Sequence, residues 1–94
     1  MARVRWTRHL EKFFPALAEQ GATLSLPCGS AAESVAALEN RHPGIAAYIV
    51  DERGTLRPHV NIFIDGKPVR DRERLTDAVG IDSEVVIMQA LSGG

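Results

Sequence analysis

The sequence is short of the features on which small proteins often build chemistry. Its one cysteine, Cys28, cannot close an intramolecular disulfide, so a stapled secreted scaffold is excluded and the cytoplasm is the expected compartment. No stretch approaches the roughly 20 apolar residues that span a bilayer, and the opening Met1-Ala2-Arg3-Val4-Arg5-Trp6 alternates instead of forming an apolar block. Neither a signal peptide nor a membrane anchor is expected. An excess of one charge is also lacking: eleven Lys+Arg against twelve Asp+Glu leave a formal net charge of -1. The general attraction used by nucleic-acid and membrane-surface binders is therefore missing, and neither is expected as a partner. His9, His42 and His59 are scattered, with no spacing that sets two imidazoles on one helical face, so no zinc site is expected. Ser25, Ser30 and Ser34 lack a G-x-S-x-G setting, and no glycine-rich phosphate loop occurs. Cys28 precedes a helix start, where the dipole could lower a thiol pKa. With no evident base nearby it reads first as a small loop residue, and a catalytic or persulfide-carrying thiol is the other reading. No catalytic site is expected.

What is present is a single small domain's worth of apolar residues, 45% of 94, enough for a modest core without metals or disulfides. Val4, Trp6 and Arg8 fall on one face of an extended run, with Arg3, Arg5 and Thr7 on the other, which predicts a first strand. The stretch from His9 to Gly21 carries Pro15 and reads as an irregular connection with a helical turn. Leu24 and Leu26 alternate with Thr23 and Ser25, giving a second strand beside the first, ended by Pro27.

Ser30-Ala31-Ala32-Glu33 is a capping box: the Ser30 hydroxyl is expected to accept the Glu33 N–H while the Glu33 carboxylate returns to the Ser30 N–H. Behind it, Ala31, Val35 and Leu38, with Ala32 or Ala36, form an apolar stripe suited to lying on a sheet, and His42-Pro43-Gly44 stops the helix. Ile45, Tyr48 and Ile49 suggest a helical turn or extended link, followed by a polar turn at 51–54. Val60, Ile62 and Ile64 alternate, Asp65-Gly66 is a hairpin turn, and Pro68-Val69 returns on an edge or very short strand. Leu75, Val79 and Ile81 are expected plugs, and residues 84–90 are β-branched and fitted to the middle of a sheet. Arg70, Arg72 and Arg74 alternate with Asp71 and Glu73 and read first as a solvated, self-neutralised run, with docking of an acidic partner as the other reading. The order strand, strand, helix, strand, strand, strand predicts an α+β β-grasp: a mixed sheet of four to five strands with one main helix packed across it.

Two features point to function. If Val60, Ile62 and Ile64 face the helix, Phe63 points outward, and Val86 and Met88 do the same on the last strand. An exposed apolar patch on neighbouring strands suits partner docking; cover by the 9–21 connection is the other reading. The second feature is Leu91-Ser92-Gly93-Gly94. Two glycines let a backbone enter a slot where any Cβ would clash, and a terminal Gly94 offers an unhindered carboxylate. The domain is expected over 1–90, with 91–94 as a tail.

Leu26-Pro27 before a capped helix, the Arg41-His42-Pro43-Gly44 stop, the central hairpin over 59–66 and the closing run from Gly80 to Gly94 together resemble the MoaD/ThiS sulfur-carrier family. That resemblance implies that Gly94 is adenylated by a ubiquitin-activating-type enzyme using ATP. Sulfur from a sulfurtransferase or desulfurase, held as a cysteine-derived persulfide, then gives a C-terminal thiocarboxylate for a sulfur-accepting synthase, in molybdopterin, thiamine or cysteine biosynthesis. It implies that Leu91, Ser92 and Gly93 thread into the partner, that Phe63, Val86 and Met88 dock it, and that the protein is a carrier with no cofactor bound and no catalysis of its own. Two alternatives stay open: a modifier joined through Gly94 to lysine side chains, and a β-grasp interaction module whose terminus does nothing.

Overall fold

The alternation at the start of the chain becomes a strand because one residue in two can be buried and the other left in water. In a computed structural model, which describes residues 1–12, 23–26 and 29–89, β1 (Ala2–Trp6) buries Ala2, Val4 and Trp6 and exposes Arg3 and Arg5. Arg8 does not continue that face. It begins a single helical turn, α1 (Arg8–Glu11), and is exposed, while Leu10 takes the next core position. The Trp6 indole N–H donates to Glu11 Oε2 at 3.1 Å, satisfying the polar atom of an otherwise buried ring. β2 (Thr23–Leu26) pairs antiparallel with β1 as expected, with Ala2 opposite Leu26 and Val4 opposite Leu24. The connection at 13–22 and the Pro27 stop lie outside the described residues.

The main helix, α2 (Ala31–Arg41), starts where the capping chemistry places it. The Ser30 hydroxyl accepts the Glu33 N–H at 3.1 Å. The Glu33 carboxylate reaches one residue further back than expected and accepts the Gly29 N–H at 2.7 Å. The first-turn donors that helical geometry leaves free are taken from outside the helix: Ala31 N–H donates to the Asp77 carbonyl and Ala32 N–H to that of Leu75, both at 2.9 Å. Ala31, Val35 and Leu38 are buried against the sheet, but the fourth buried position is Ser34; Ala32 and Ala36 are exposed. Ser34 is tolerated there because its hydroxyl donates to the Ser30 carbonyl one turn back at 3.1 Å. The helix stops at the His-Pro-Gly sequence, where Gly44 has φ 101. The Glu39 carboxylate accepts the N–H groups of Gly44 and Ala46, and this holds its pKa below the ordinary value. One more turn, α3 (Ala46–Ile49), follows, with Ile45 and Ile49 in the core.

β3 (Val60–Ile64) and β4 (Lys67–Pro68) form the expected hairpin, Phe63 opposite Pro68 and Ile64 opposite Lys67. Asp65 (φ 51) and Gly66 (φ 84) both occupy the left-handed region that a two-residue turn of this hand requires. β5 (Glu84–Gln89) enters the sheet between β1 and β3, parallel to the first and antiparallel to the second. The sheet order is β2-β1-β5-β3-β4. Its inner face, Ala2, Val4, Trp6, Val60, Ile62, Val85 and Ile87, packs with α2 and the plugs Leu75 and Val79 into one core. Ile81 is not a plug: it lies in the turn before β5 and is 76% exposed. The expected α+β β-grasp with its mixed sheet is the observed fold.

The arginine and aspartate run at 70–74 is not simply a solvated stripe. Asp71 folds it into a turn, accepting the N–H groups of Glu73 and Arg74 and the Thr76 hydroxyl. Asp77 accepts those of Arg70 and Asp71. Arg72 turns inward to β3.

Candidate functional site

The outer face of the sheet carries the residues that alternate with the core. The register aligns Arg5 on β1, Val86 on β5, Phe63 on β3 and Pro68 on β4 in one transverse row. On one side of it lies Ser25–Arg3–Glu84, and on the other Met88 opposite Asn61. Phe63 and Val86 are half-buried and Met88 is 39% exposed. The three apolar side chains expected to dock a partner therefore share one face of adjoining strands. Arg3 and Arg5 border them on the β1 side; the Arg5 guanidinium lies 3.4 Å from Glu84 Oε2, an exposed contact of small energetic weight. Such a surface combines a central apolar strip with cationic charge on one flank.

The end of this face at which β5 starts is tied by Asp65. Its carboxylate accepts the Glu84 N–H at 2.9 Å and the Ser83 hydroxyl at 2.8 Å, and these bonds lower its pKa. Ser83 Oγ in turn accepts the Gly80 N–H at 2.9 Å. At its other end β5 reaches Gln89, after which Ala90 to Gly94 follow in sequence. Leu91, Ser92, Gly93, Gly94 and Cys28 lie outside the described residues. The central strand of the sheet is thus the one that leads into the Gly-Gly pair.

Among the described residues no group of three or more His, Cys, Asp or Glu could hold a metal ion, and no helix is long and apolar enough to cross a membrane. His59 is exposed just ahead of β3, and the backbone N–H of His42 closes the end of α2 on the Leu38 carbonyl. Among its described residues the face offers packing and charge.

Sequence reasoning missed Arg72. Its guanidinium donates to Asn61 Oδ1 at 2.9 Å and to the carbonyls of Arg57 and Val60, each at 2.8 Å. The shortness of β4 is the signal that could have found it: opposite Val60 the edge of β3 has no strand neighbour, so something else must satisfy that carbonyl.

No family model matches the chain, and no curated protein matches it in sequence. Solved structures match it throughout. A chain of the Amycolatopsis orientalis BexX/CysO complex matches with TM-score 0.83 at 22% identity, over 100% of both chains. Mycobacterium tuberculosis CysO matches with TM-score 0.81 at 22% identity, over 97% of this chain and 100% of its own. SAMP1 from Haloferax volcanii matches with TM-score 0.75 at 18% identity, over 99% and 98%. These likenesses establish the ubiquitin-like β-grasp fold along the chain's length.

Proposed function

We propose that the protein is a sulfur carrier. Gly94, presented as a free terminal carboxylate, is converted by a partner enzyme and ATP into an acyl adenylate with release of pyrophosphate. The terminal sulfur of a persulfide on a sulfurtransferase or desulfurase attacks the acyl carbon, and AMP departs. A thiol then cleaves the acyl disulfide, leaving a thiocarboxylate on Gly94 and a disulfide on the thiol side. The thiocarboxylate donates sulfur to an accepting synthase in cofactor or metabolite biosynthesis. In this reading Phe63, Val86 and Met88 dock the activating enzyme while Leu91, Ser92 and Gly93 thread toward its site, whose narrowest part only the glycines pass without a clash. ATP is the enzyme's substrate and no cofactor resides in the carrier.

The observation that carries this reading is a full-length CysO-like fold whose central strand is followed in sequence, after Ala90, Leu91 and Ser92, by Gly93 and Gly94. The test is the intact mass of the protein from its own cells, with fragmentation to locate any change. A gain equal to one oxygen replaced by sulfur, mapped to Gly94, is expected. A terminus unchanged after incubation with ATP, a sulfur source and the cell's activating enzymes would overturn it.

The likeness to SAMP1, a small archaeal modifier protein, favours a second reading in which Gly94 is joined to lysine side chains. That reading expects ladders of conjugates in lysate that vanish when Gly94 is deleted.

A further inference from the structure

The two ends of β5 are held differently. From Val85 to Ile87 the strand has two neighbours, β1 and β3. β1 pairs no further than Trp6 with Ile87, followed by one bond from Thr7 N–H to the Ile87 carbonyl at 3.2 Å. Met88 and Gln89 therefore have β3 alone as a strand neighbour among the described residues, through Asn61 and Val60 respectively. That part of β3 is itself an edge, because β4 reaches only Phe63 and Ile64 and the Val69 N–H then takes the Ile62 carbonyl. Beyond that point the place of a further strand is filled by Arg72. One guanidinium nitrogen bridges the Arg57 and Val60 carbonyls and the other holds the Asn61 side chain. The backbone of Arg72 is fixed as well, its carbonyl accepting the Leu56 N–H at 2.7 Å. A planar fork with several donors suits this bridging in a way that a lysine ammonium does not.

We propose that Arg72 is a positioning residue: by bracing Val60 and Asn61 it fixes Met88 and Gln89, the last rung of β5, from which the sequence continues toward Gly94. Its consequence for chemistry at Gly94 rests on the carrier reading. Its structural half does not. Loosening that rung leaves Phe63 and Val86 of the docking strip paired but holds the route to the carboxylate less closely, which lowers turnover more than affinity.

The test compares wild type with Arg72→Met and Arg72→Lys by amide hydrogen exchange at Met88 and at Val86. Activation is then measured as ATP-dependent pyrophosphate release by a ubiquitin-activating-type enzyme from the same cells. In Arg72→Met the Met88 amide is expected to exchange about tenfold faster relative to Val86, the scale of a lost charged hydrogen bond. The same variant is expected to lose kcat with KM nearly unchanged, and Arg72→Lys to recover part of both. Should Arg72→Met fail to fold, Asn61→Ala removes one of the three bonds and gives the same pattern at smaller amplitude. Equal acceleration at Met88 and Val86, or a rise in KM with kcat unchanged, overturns the proposal. Selective acceleration at Met88 in a protein whose wild type is never activated overturns the carrier reading and leaves the bracing of the last rung standing.

Discussion

The two faces of the sheet are made by the same strands and differ only in the parity of the residue. The inner residues Val4, Val60, Ile62, Val85 and Ile87 are at most 1% exposed. The outer residues one position away are Arg3, Arg5, Asn61, Phe63, Val86 and Met88, polar or only partly covered. A one-residue slip would exchange the two sets, so register here decides which side chains build the core and which remain on the surface. Substitutions on one face should therefore be read out by unfolding and those on the other by partner assays.

The sharpest way to break that division is from within. Ile87→Ala removes a fully buried side chain on the central strand and is expected to cost about 2–5 kcal/mol, seen as a lower urea midpoint with unchanged slope.

Acid should act on neither face but on the turns that join them. Glu39, Asp51, Asp65, Asp71 and Asp77 all have pKa values lowered from 4.5 for the Glu and 3.8 for the Asp groups, chiefly by hydrogen bonds from backbone N–H groups or, for Asp71, from the Thr76 hydroxyl. Folded values below the unfolded ones mean that this stabilisation is complete above those ordinary values and lost as pH falls through the lower folded values. The denaturation midpoint is expected to hold steady while pH stays above the ordinary range and to drop once it passes below. Asp71→Asn should flatten that drop, because it removes one of the contributing carboxylates.

A smaller effect tests whether α2 depends on its start as well as on its buried stripe. Ser30→Ala removes the acceptor for the Glu33 N–H and is expected to cost about 1 kcal/mol, measured by thermal or urea unfolding. The smallest effect on stability should come from the outer face. Met88→Ser is expected to change unfolding by no more than about 0.5 kcal/mol and, on the carrier reading proposed above, to raise the KM of an activating enzyme. A destabilisation comparable to that of Ile87→Ala would erase the distinction between the faces.

What could be seen in the sequence tracks how local the responsible signal is. The α2 start needs only Ser30 and Glu33, and the β3–β4 turn only Asp65 and Gly66; both were legible and both are observed. Ser34 was passed over because a hydroxyl looks unfit for an apolar stripe until its bond to the carbonyl four residues back is considered. Ile81 was misplaced because an apolar residue in a short turn carries no periodicity by which to assign a face. Arg72 was missed as a brace because its partners lie 11 to 15 residues away, and only the shortness of β4 signals that the edge of β3 needs one. The outer strip followed from alternation alone, and the register then added that Phe63 and Val86 are direct neighbours.

The parallel pairing of β1 with β5 also governs when the fold can form. Arg5 and Glu84 meet across 79 residues, and without β5 the β1–β2 pair and the β3–β4 hairpin have no strand between them. Closing so long a loop before any contact repays it makes sheet assembly slow. During synthesis from the N-terminus, the sheet cannot close until residues up to Gln89 have emerged. The strand that completes the fold is thus the last one in the sequence, so a nascent chain truncated before Glu84 carries neither a closed sheet nor a finished outer surface.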